Sequence, residues 1–357
     1  MNISGLAFGA AFMLSVLLPF AVRPLLVKLG IVDVPNHRSS HERPVLRGLG
    51  LAVLIAVVAV EACFTWLAFS LEPAGADWRF LLTVTLATLA AGLLGLSEDI
   101  RGLSVPIRSA VLLAIAAGSA LALLVLARAA DRGAVQGIDA ATLPVWALAA
   151  LFVYAVLFIS SYINVANFMD GLNGISGLHG LIAGLAFAAA GWLSGQHWLV
   201  IAGLVLAAGW AGFLPWNLTK PGAFPGDVGS YMLGGAVAVT SFAALLTGVP
   251  VLATIGPMVI YFGDVGTTLV KRVRAGHKWD EPHKEHAYQR LQQLGMPHLA
   301  ASGINAGFTL AASALGLASF FVGPIWWLLL LALGLALVVA YQLMPRLLEK
   351  KFPASSS

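Results

Sequence analysis

The chain has 357 residues, of which 59% are hydrophobic and only 10% charged, with a mean hydropathy of +0.90 and a net charge of +4. Soluble domains carry about 25% charged residues, so a soluble enzyme, a disordered chain and a nucleic-acid-binding module are excluded. The lone Cys63 excludes a disulfide framework and a thiolate metal cluster. We therefore predict an integral membrane protein that binds no nucleic acid.

Long apolar runs dominate the sequence. A membrane-spanning helix needs about 20 mostly apolar residues, and about eleven runs satisfy this requirement. The predicted fold is therefore all-α and polytopic, a single integral membrane domain over residues 1–357. The predicted spans are 4–22, 49–70, 79–97, 107–127, 141–162, 174–193, 198–216, 229–248, 250–270, 299–321 and 324–344.

The basic residues predict the orientation of these spans. With the N-terminus outside and the C-terminus in the cytoplasm, only Arg79, Arg128 and Arg132 of the 20 Lys and Arg residues lie outside. Cytoplasmic connections of membrane proteins are enriched in Lys and Arg. Nearly all Asp, Asn and His residues of the connections fall on the same inner face, which predicts a cytoplasmic active site.

Two polar segments lie near the first three spans. Residues 33–50 contain Arg38 and His41 among prolines and glycines, which suits a rigid anion-binding loop, or alternatively a basic loop near anionic lipid head groups. Glu98 and Asp99 are adjacent at the inner end of the third span. Paired carboxylates beside a membrane need a metal, a base or water to compensate their charge.

Two more segments combine carboxylates with amides and glycines. Asn164, Asn167 and Asp170 recur every three residues, a spacing that places them near one face of a helix. Asp227 precedes Gly229 and Ser230 at the start of an apolar run. Its carboxylate offers the hard oxygen ligand that Mg²⁺ prefers, and the same residue suits a helix N-cap.

The last segment, 270–291, is basic and contains Lys271, His283 and His286. Such donors suit a diphosphate or a sugar hydroxyl; a zinc site at the two histidines is the alternative, without a convincing third ligand. Asp264 lies within the ninth span, where an ionisable group is functional by default.

Taken in order, these motifs resemble those of the polyprenyl-phosphate N-acetylhexosamine-1-phosphate transferases. The shared pattern is Asp-x-Pro-x-x-Arg-x-x-x-His, an acidic pair, Asn-x-x-Asn-x-x-Asp-Gly, Gly-Asp-x-Gly-Ser and a late His-x-x-His. The family includes the phospho-MurNAc-pentapeptide translocase and the GlcNAc-1-phosphate transferases that initiate O-antigen synthesis. The resemblance spans about residues 33–290.

The resemblance implies a reaction and its participants. Undecaprenyl phosphate would attack the β-phosphate of a UDP-N-acetylhexosamine and release UMP, with Mg²⁺, or Mn²⁺ as the alternative ion. It also implies a bacterial inner-membrane location amid membrane lipid, with a homodimer as one option.

The resemblance also assigns roles to residues. Asp227 matches the metal-binding aspartate and is expected to be catalytic, as are Asp99 and Glu98, which match the acidic pair. Asn164, Asn167 and Asp170 match the nucleotide-side cluster, and the late loop with Lys271, His283 and His286 matches the region of sugar recognition. Arg38 and His41 match the first motif and are assigned to substrate binding. The full set of expected site residues is Arg38, His41, Glu98, Asp99, Asn164, Asn167, Asp170, Asp227, Lys271, His283 and His286.

The sequence departs from the family's motif pattern at three places, which affects the expected catalytic residues and the expected sugar. Glu98 stands where the family has Asp, and Asn173 replaces a second Asp, so Asn173 cannot act as a base. The late loop lacks three consecutive histidines, so GlcNAc, QuiNAc or FucNAc is expected as the sugar. The alternatives are MurNAc-pentapeptide and, from another class, a multi-span transporter.

Overall fold

The structure is a computed structural model that describes residues 3–33, 45–75, 77–129, 142–219, 222–277 and 284–349. Arg38, His41 and His283, all expected site residues, lie outside these ranges. The helices are α1 Ile3–Lys28, α2 Gly50–Leu71, α3 Asp77–Arg101, α4 Val105–Ala129, α5 Val145–Met169, α6 Ile175–Leu193, α7 His197–Leu218, α8 Gly226–Leu246, α9 Val251–Ile255, α10 Val259–Arg274, α11 Ala287–Gln293, α12 His298–Ala318 and α13 Trp327–Glu349.

The predicted all-α polytopic fold is confirmed. Eleven helices of the described ranges are long and apolar enough to cross a membrane, α9 and α10 counting together as the ninth. Within these ranges the strands are the two-residue β1 (Val32–Asp33) and β2 (Val45–Leu46), which pair antiparallel. A spanning chain must satisfy its backbone groups internally, and helices meet this demand over nearly the whole fold.

The ninth span is interrupted, which the sequence prediction of one run at 250–270 did not include. A 3₁₀ turn at Gly256–Met258 separates α9 from α10. Pro257 lies within this turn and has no N–H for an i−4 bond, which explains the break. Gly256 allows α12 to approach, since a Cβ there would lie 3.0 Å from the carbonyl oxygen of Ala312.

Helix α8 is the centre of the bundle. Almost every residue of α8 is buried, and small side chains let its neighbours approach closely. A Cβ at Gly234 would lie 2.6 Å from the Cα of Ile163 in α5, and a Cβ at Gly235 would lie 2.8 Å from the Cβ of Ala91 in α3. The ends of α3 and α5 are thereby fixed beside the start of α8, where the predicted site residues lie.

Candidate active site

The carboxylate of Asp99 holds the start of α8. The backbone N–H groups of Asp227 and Val228 donate to its two oxygens, at 3.0 Å to Oδ1 and 2.9 Å to Oδ2. Unpaired N–H groups and the helix dipole favour an anion at this end of a helix. Asp99, predicted as a catalytic residue, thus accepts the hydrogen bonds that hold the backbone of Asp227 in place.

Glycines make this close approach of α3 and α8 feasible. Gly226 has φ +73°, and a Cβ there would lie 2.7 Å from Oδ2 of Asp99 and 2.6 Å from the backbone N of Gly48. A Cβ at Gly95 of α3 would overlap the backbone carbonyl of Asp227. Larger side chains at either position would separate Asp99 from the helix that it caps.

Arg47 bridges the two aspartates, although the sequence analysis did not single it out. Its Nε lies 3.0 Å from Oδ1 of Asp99, and its Nη2 lies 2.7 Å from Oδ2 of Asp227. The side chains of Asp99, Asp227 and Arg47 are 0%, 17% and 38% exposed, respectively. A planar guanidinium suits two carboxylates at once, and Arg47 is the most exposed of the three side chains.

Backbone pairing explains how Arg47 reaches the site. The N–H of Phe224 donates to the carbonyl of Leu46, and the N–H of Leu49 donates to the carbonyl of Phe224. The segment before α2 is thus hydrogen-bonded to the segment before α8. The sequence marks Arg47 only by its position directly before Gly48-Leu49-Gly50. Its partners could not be predicted, because they lie 52 and 180 residues away in the chain.

Asn167 completes the surroundings of Asp227. Its Nδ2 donates to Oδ1 of Asp227 at 2.8 Å and to Oγ of Ser230 at 3.0 Å. The predicted pair Asn167 and Asp227 is therefore brought into direct contact. Asn164, one turn earlier, donates from its Nδ2 to the carbonyl of Ser160 in its own helix at 3.1 Å.

Asp170 follows the last residue of α5 and accepts a hydrogen bond from Oγ of Ser176 at 2.6 Å. Burial is the main cause that raises the pKa of Asp170 from 3.8 to about 7, and the charges of Asp227 and Asp99 add to this rise. The bond from Ser176 and the charge of Arg47 oppose it. Asp170 therefore belongs electrostatically to the same cluster.

Asn217 is a further residue that the sequence analysis missed. Its Oδ1 accepts from the N–H of Gly174, and its Nδ2 donates to the carbonyl of Ala223 at 2.8 Å. It therefore ties the connection after α5 to the connection before α8. A buried amide at the end of the otherwise apolar α7 was the available signal.

The neighbouring Glu98 makes different contacts. Its Oε2 accepts from the N–H of Leu103 at 2.9 Å, and its Oε1 lies 3.3 Å from Nη1 of Arg108. Glu98 thus lies in the last turn of α3, and its side chain contacts the connection to α4 and has Arg108 as its counter-charge. The catalytic role assigned to Glu98 remains a prediction.

Within the described part of the late basic segment, α11 packs against the end of α5, whereas Lys271 contacts α13. Lys271 donates from Nζ to Oε1 of Gln342 at 3.2 Å, while His286 is buried and stacks on Tyr288 with ring centroids 5.7 Å apart. The hydroxyl of Tyr288 donates to the carbonyl of Phe168 at 3.0 Å. Helix α11 therefore contacts the end of α5, next to Asp170.

The donor set fits a divalent cation. Asp99, Asp170 and Asp227, when ionised, leave two negative charges unbalanced by Arg47. No group of three Asp, Glu, His or Cys side chains in the described ranges forms a ready-made metal cage. Mg²⁺ suits such a site, since it usually binds one or two carboxylates and completes its shell with water and phosphate oxygens.

Comparison with known proteins gives two findings. Residues 81–245 match the family model described as glycosyl transferase family 4. The curated relatives include proteins named decaprenyl-phosphate N-acetylglucosaminephosphotransferase, at 32% identity from Mycobacterium leprae (strain TN) and 33% from Mycolicibacterium smegmatis (strain ATCC 700084 / mc(2)155). The two alignments cover 24% and 25% of this chain, and 25% and 26% of the relatives, so the match spans about a quarter of their length.

Proposed function

We propose that the chain, whose residues 81–245 match the model of glycosyl transferase family 4, transfers an N-acetylhexosamine 1-phosphate from a UDP-sugar to a polyprenyl phosphate. The observation that carries the proposal is the cluster of Asp99, Asp227, Arg47 and Asn167 at the start of α8. It combines cationic and anionic groups where α3, α5 and α8 meet, at the ends of predicted membrane spans. Transporters instead keep polar residues near the bilayer midplane, which disfavours the transporter alternative.

The proposed reaction forms one P–O bond and breaks another. A phosphate oxygen of the lipid attacks the β-phosphorus of the UDP-sugar, and the bond from that phosphorus to the bridging oxygen of UMP breaks. UMP leaves, and the sugar remains on a polyprenyl diphosphate. A phosphate monoester has a second pKa near 6 and is largely ionised at neutral pH, so the acceptor needs no strong base.

Catalysis of phosphoryl transfer depends mainly on positioning and on stabilisation of charge. The exposed edge of Arg47 is suited to contact the diphosphate, and Asn167 orients the carboxylate of Asp227. We assign Asp227, with Asp170 nearby, to hold Mg²⁺, which would neutralise charge on the phosphates. Asp99 accepts two backbone hydrogen bonds and faces Arg47, so we assign it a positioning role.

The finer identity of the substrates is also proposed. The relatives' names specify decaprenyl phosphate and N-acetylglucosamine, and we infer GlcNAc as the first donor to test, with QuiNAc and FucNAc next. Undecaprenyl phosphate is the proposed acceptor in a bacterial inner membrane, in the initiation of O-antigen or a related envelope polysaccharide. The excess of Lys and Arg on one side supports a cytoplasmic site.

A donor panel tests the proposed function. Detergent-purified protein would receive undecaprenyl phosphate, Mg²⁺ and one of UDP-GlcNAc, UDP-GalNAc, UDP-QuiNAc, UDP-FucNAc or UDP-MurNAc-pentapeptide. We expect UMP release from an N-acetylhexosamine donor, and none when lipid or metal is omitted. Folded protein that releases no UMP from any donor would contradict the proposal, and release only from the MurNAc-pentapeptide donor would establish the alternative enzyme.

A further inference from the structure

Asp264 of α10 forms a second carboxylate-centred junction, separate from the cluster around Asp227. Its side chain is fully buried, and the backbone N–H of Ala287 lies 3.1 Å from each of its two oxygens. Nε2 of Gln342 in α13 donates to Oδ1 at 2.9 Å, and Nδ1 of His286 lies 3.6 Å from the same atom. One carboxylate thus joins α10 and α13 to the start of α11.

This junction determines where the late basic segment, residues 270–291, returns to α10. Ala287 is 23 residues beyond Asp264, so the chain leaves the end of α10 and runs back beside it. Residues 278–283 of this segment lie outside the described ranges. Its return point is nevertheless defined, because His286 and Ala287 are both buried against Asp264.

Helix α11 then connects the junction to the active site. Tyr288, one residue after Ala287, is buried and donates its hydroxyl to the carbonyl of Phe168 at 3.0 Å. The same ring covers Gly171, where a Cβ would overlap the hydroxyl of Tyr288. A displacement of α11 would therefore be transmitted to the connection that contains Asp170.

We propose that Asp264 is a positioning residue that holds α11 in place, and through α11 the connection after α5 that contains Asp170. This inference rests on the proposed function for its catalytic consequence, because Asp170 of that connection is assigned to the nucleotide side of the site. Hydrogen bonds to a charged acceptor are stronger than neutral ones. Loss of the carboxylate would also leave the N–H of Ala287 buried without its acceptor.

Amide hydrogen exchange in detergent tests the anchoring directly and needs no activity. In Asp264→Ala we expect faster exchange in peptides covering 284–293 and 164–176, while peptides from α2 and α3 keep the wild-type rate. Tyr288→Phe keeps the junction but removes the bond to Phe168, so it should accelerate only 164–176. Glu61→Gln alters another buried carboxyl of the membrane region and is the matched control. It should leave the exchange rates of both peptides unchanged.

Kinetics test the consequence for the reaction. In Asp264→Ala we expect the KM for the UDP-sugar to rise about tenfold, as for loss of one charge-assisted hydrogen bond, with the KM for lipid phosphate unchanged. Asp264→Asn retains one acceptor oxygen and should give an intermediate value, and it replaces Asp264→Ala in both experiments if the alanine variant does not fold.

The outcomes separate the two proposals. Unchanged exchange at 284–293, or an equal increase throughout the bundle, would overturn the anchoring role whatever the activity. Increased local exchange with unchanged donor KM would overturn the link to donor recognition. If wild-type protein shows no transferase activity, the proposed function fails while the exchange data still decide the anchoring.

Discussion

At the scale of single residues, the candidate site depends on how one guanidinium and three carboxylates share a small, half-buried volume. Arg47 contacts Asp99 and Asp227, and Asn167 orients Asp227. A buried carboxylate without its counter-charge is strongly unfavourable. The identity of Arg47, and not only its charge, should therefore matter.

Substitution of Arg47 tests this dependence. Arg47→Ala should lower UMP release on the order of 10²-fold, the typical cost of removing one charge-stabilising donor from an active site. Arg47→Lys should recover only part of the rate, because an ammonium cannot bridge two carboxylates with a fixed fork of donors. Arg128→Ala, in the last turn of α4, is the control and should retain the wild-type rate. Full activity of Arg47→Ala would show that the reaction does not require Arg47.

The pKa of Asp170 gives a prediction for stability against pH. Because folding raises this pKa from 3.8 to about 7, the folded state binds the proton more tightly than the unfolded state. The contribution to stability is complete below about pH 4 and is lost as the pH rises through about 7.

The measurement compares Asp170→Asn with wild type. With a chelator present, the difference in unfolding temperature between pH 5 and pH 8 should be smaller in the variant, since the amide does not titrate. Equal differences in the two proteins would show that Asp170 has no raised pKa in the fold.

At the scale of elements, the site exists because α3 and α8 approach closely enough for a side chain of one to bind the backbone of the other. Gly95 permits this contact, and Asp99 lies one turn further along α3. The ninth span is broken at Pro257, so Asp264 lies on a separate helix, α10, after the break. Helix packing and active-site geometry are therefore coupled.

Adding one methyl group to α3 tests whether active-site geometry depends on the close packing of α3 and α8. Gly95→Ala should force α3 away from the carbonyl of Asp227 and lower both the unfolding temperature and UMP release. Gly118→Ala in α4 is the matched control, since a Cβ there meets no atom within 4 Å. Ala is favoured over Gly in helices by about 1 kcal/mol, so the control should be at least as stable as wild type. Equal effects of the two substitutions would contradict the close contact of α3 and α8.

At the scale of the whole molecule, hydropathy alone predicted the eleven spans, because the bilayer imposes a length and a composition on each helix. The sequence also predicted Asn167 and Asp227 as members of one site. The bridge by Arg47 could not be predicted, because it depends on backbone pairing between Leu46 and Phe224, 178 residues apart in the chain. Likewise, the sequence suggested a function for Asp264 but gave no indication of its contact with Ala287.

The orientation of the molecule can be measured with a membrane-impermeant thiol reagent. In a variant with Cys63 replaced by Ser, Lys284→Cys should be protected in intact cells and labelled after lysis. Glu72→Cys should be labelled in intact cells, because it is exposed at the predicted external end of α2. Labelling in the reverse pattern would invert the proposed topology.

The most direct test of the central claim, that the cluster at the start of α8 is a sugar-1-phosphate transferase site, is the effect of Asp227→Asn on UMP release. Asp77→Asn, the same change in the first turn of α3 at its opposite end, is the matched control. With the best donor, lipid phosphate and Mg²⁺, we expect Asp227→Asn to lose at least about 10²-fold in rate, and Asp77→Asn to match wild type. Near-normal, Mg²⁺-dependent release by Asp227→Asn would contradict the account.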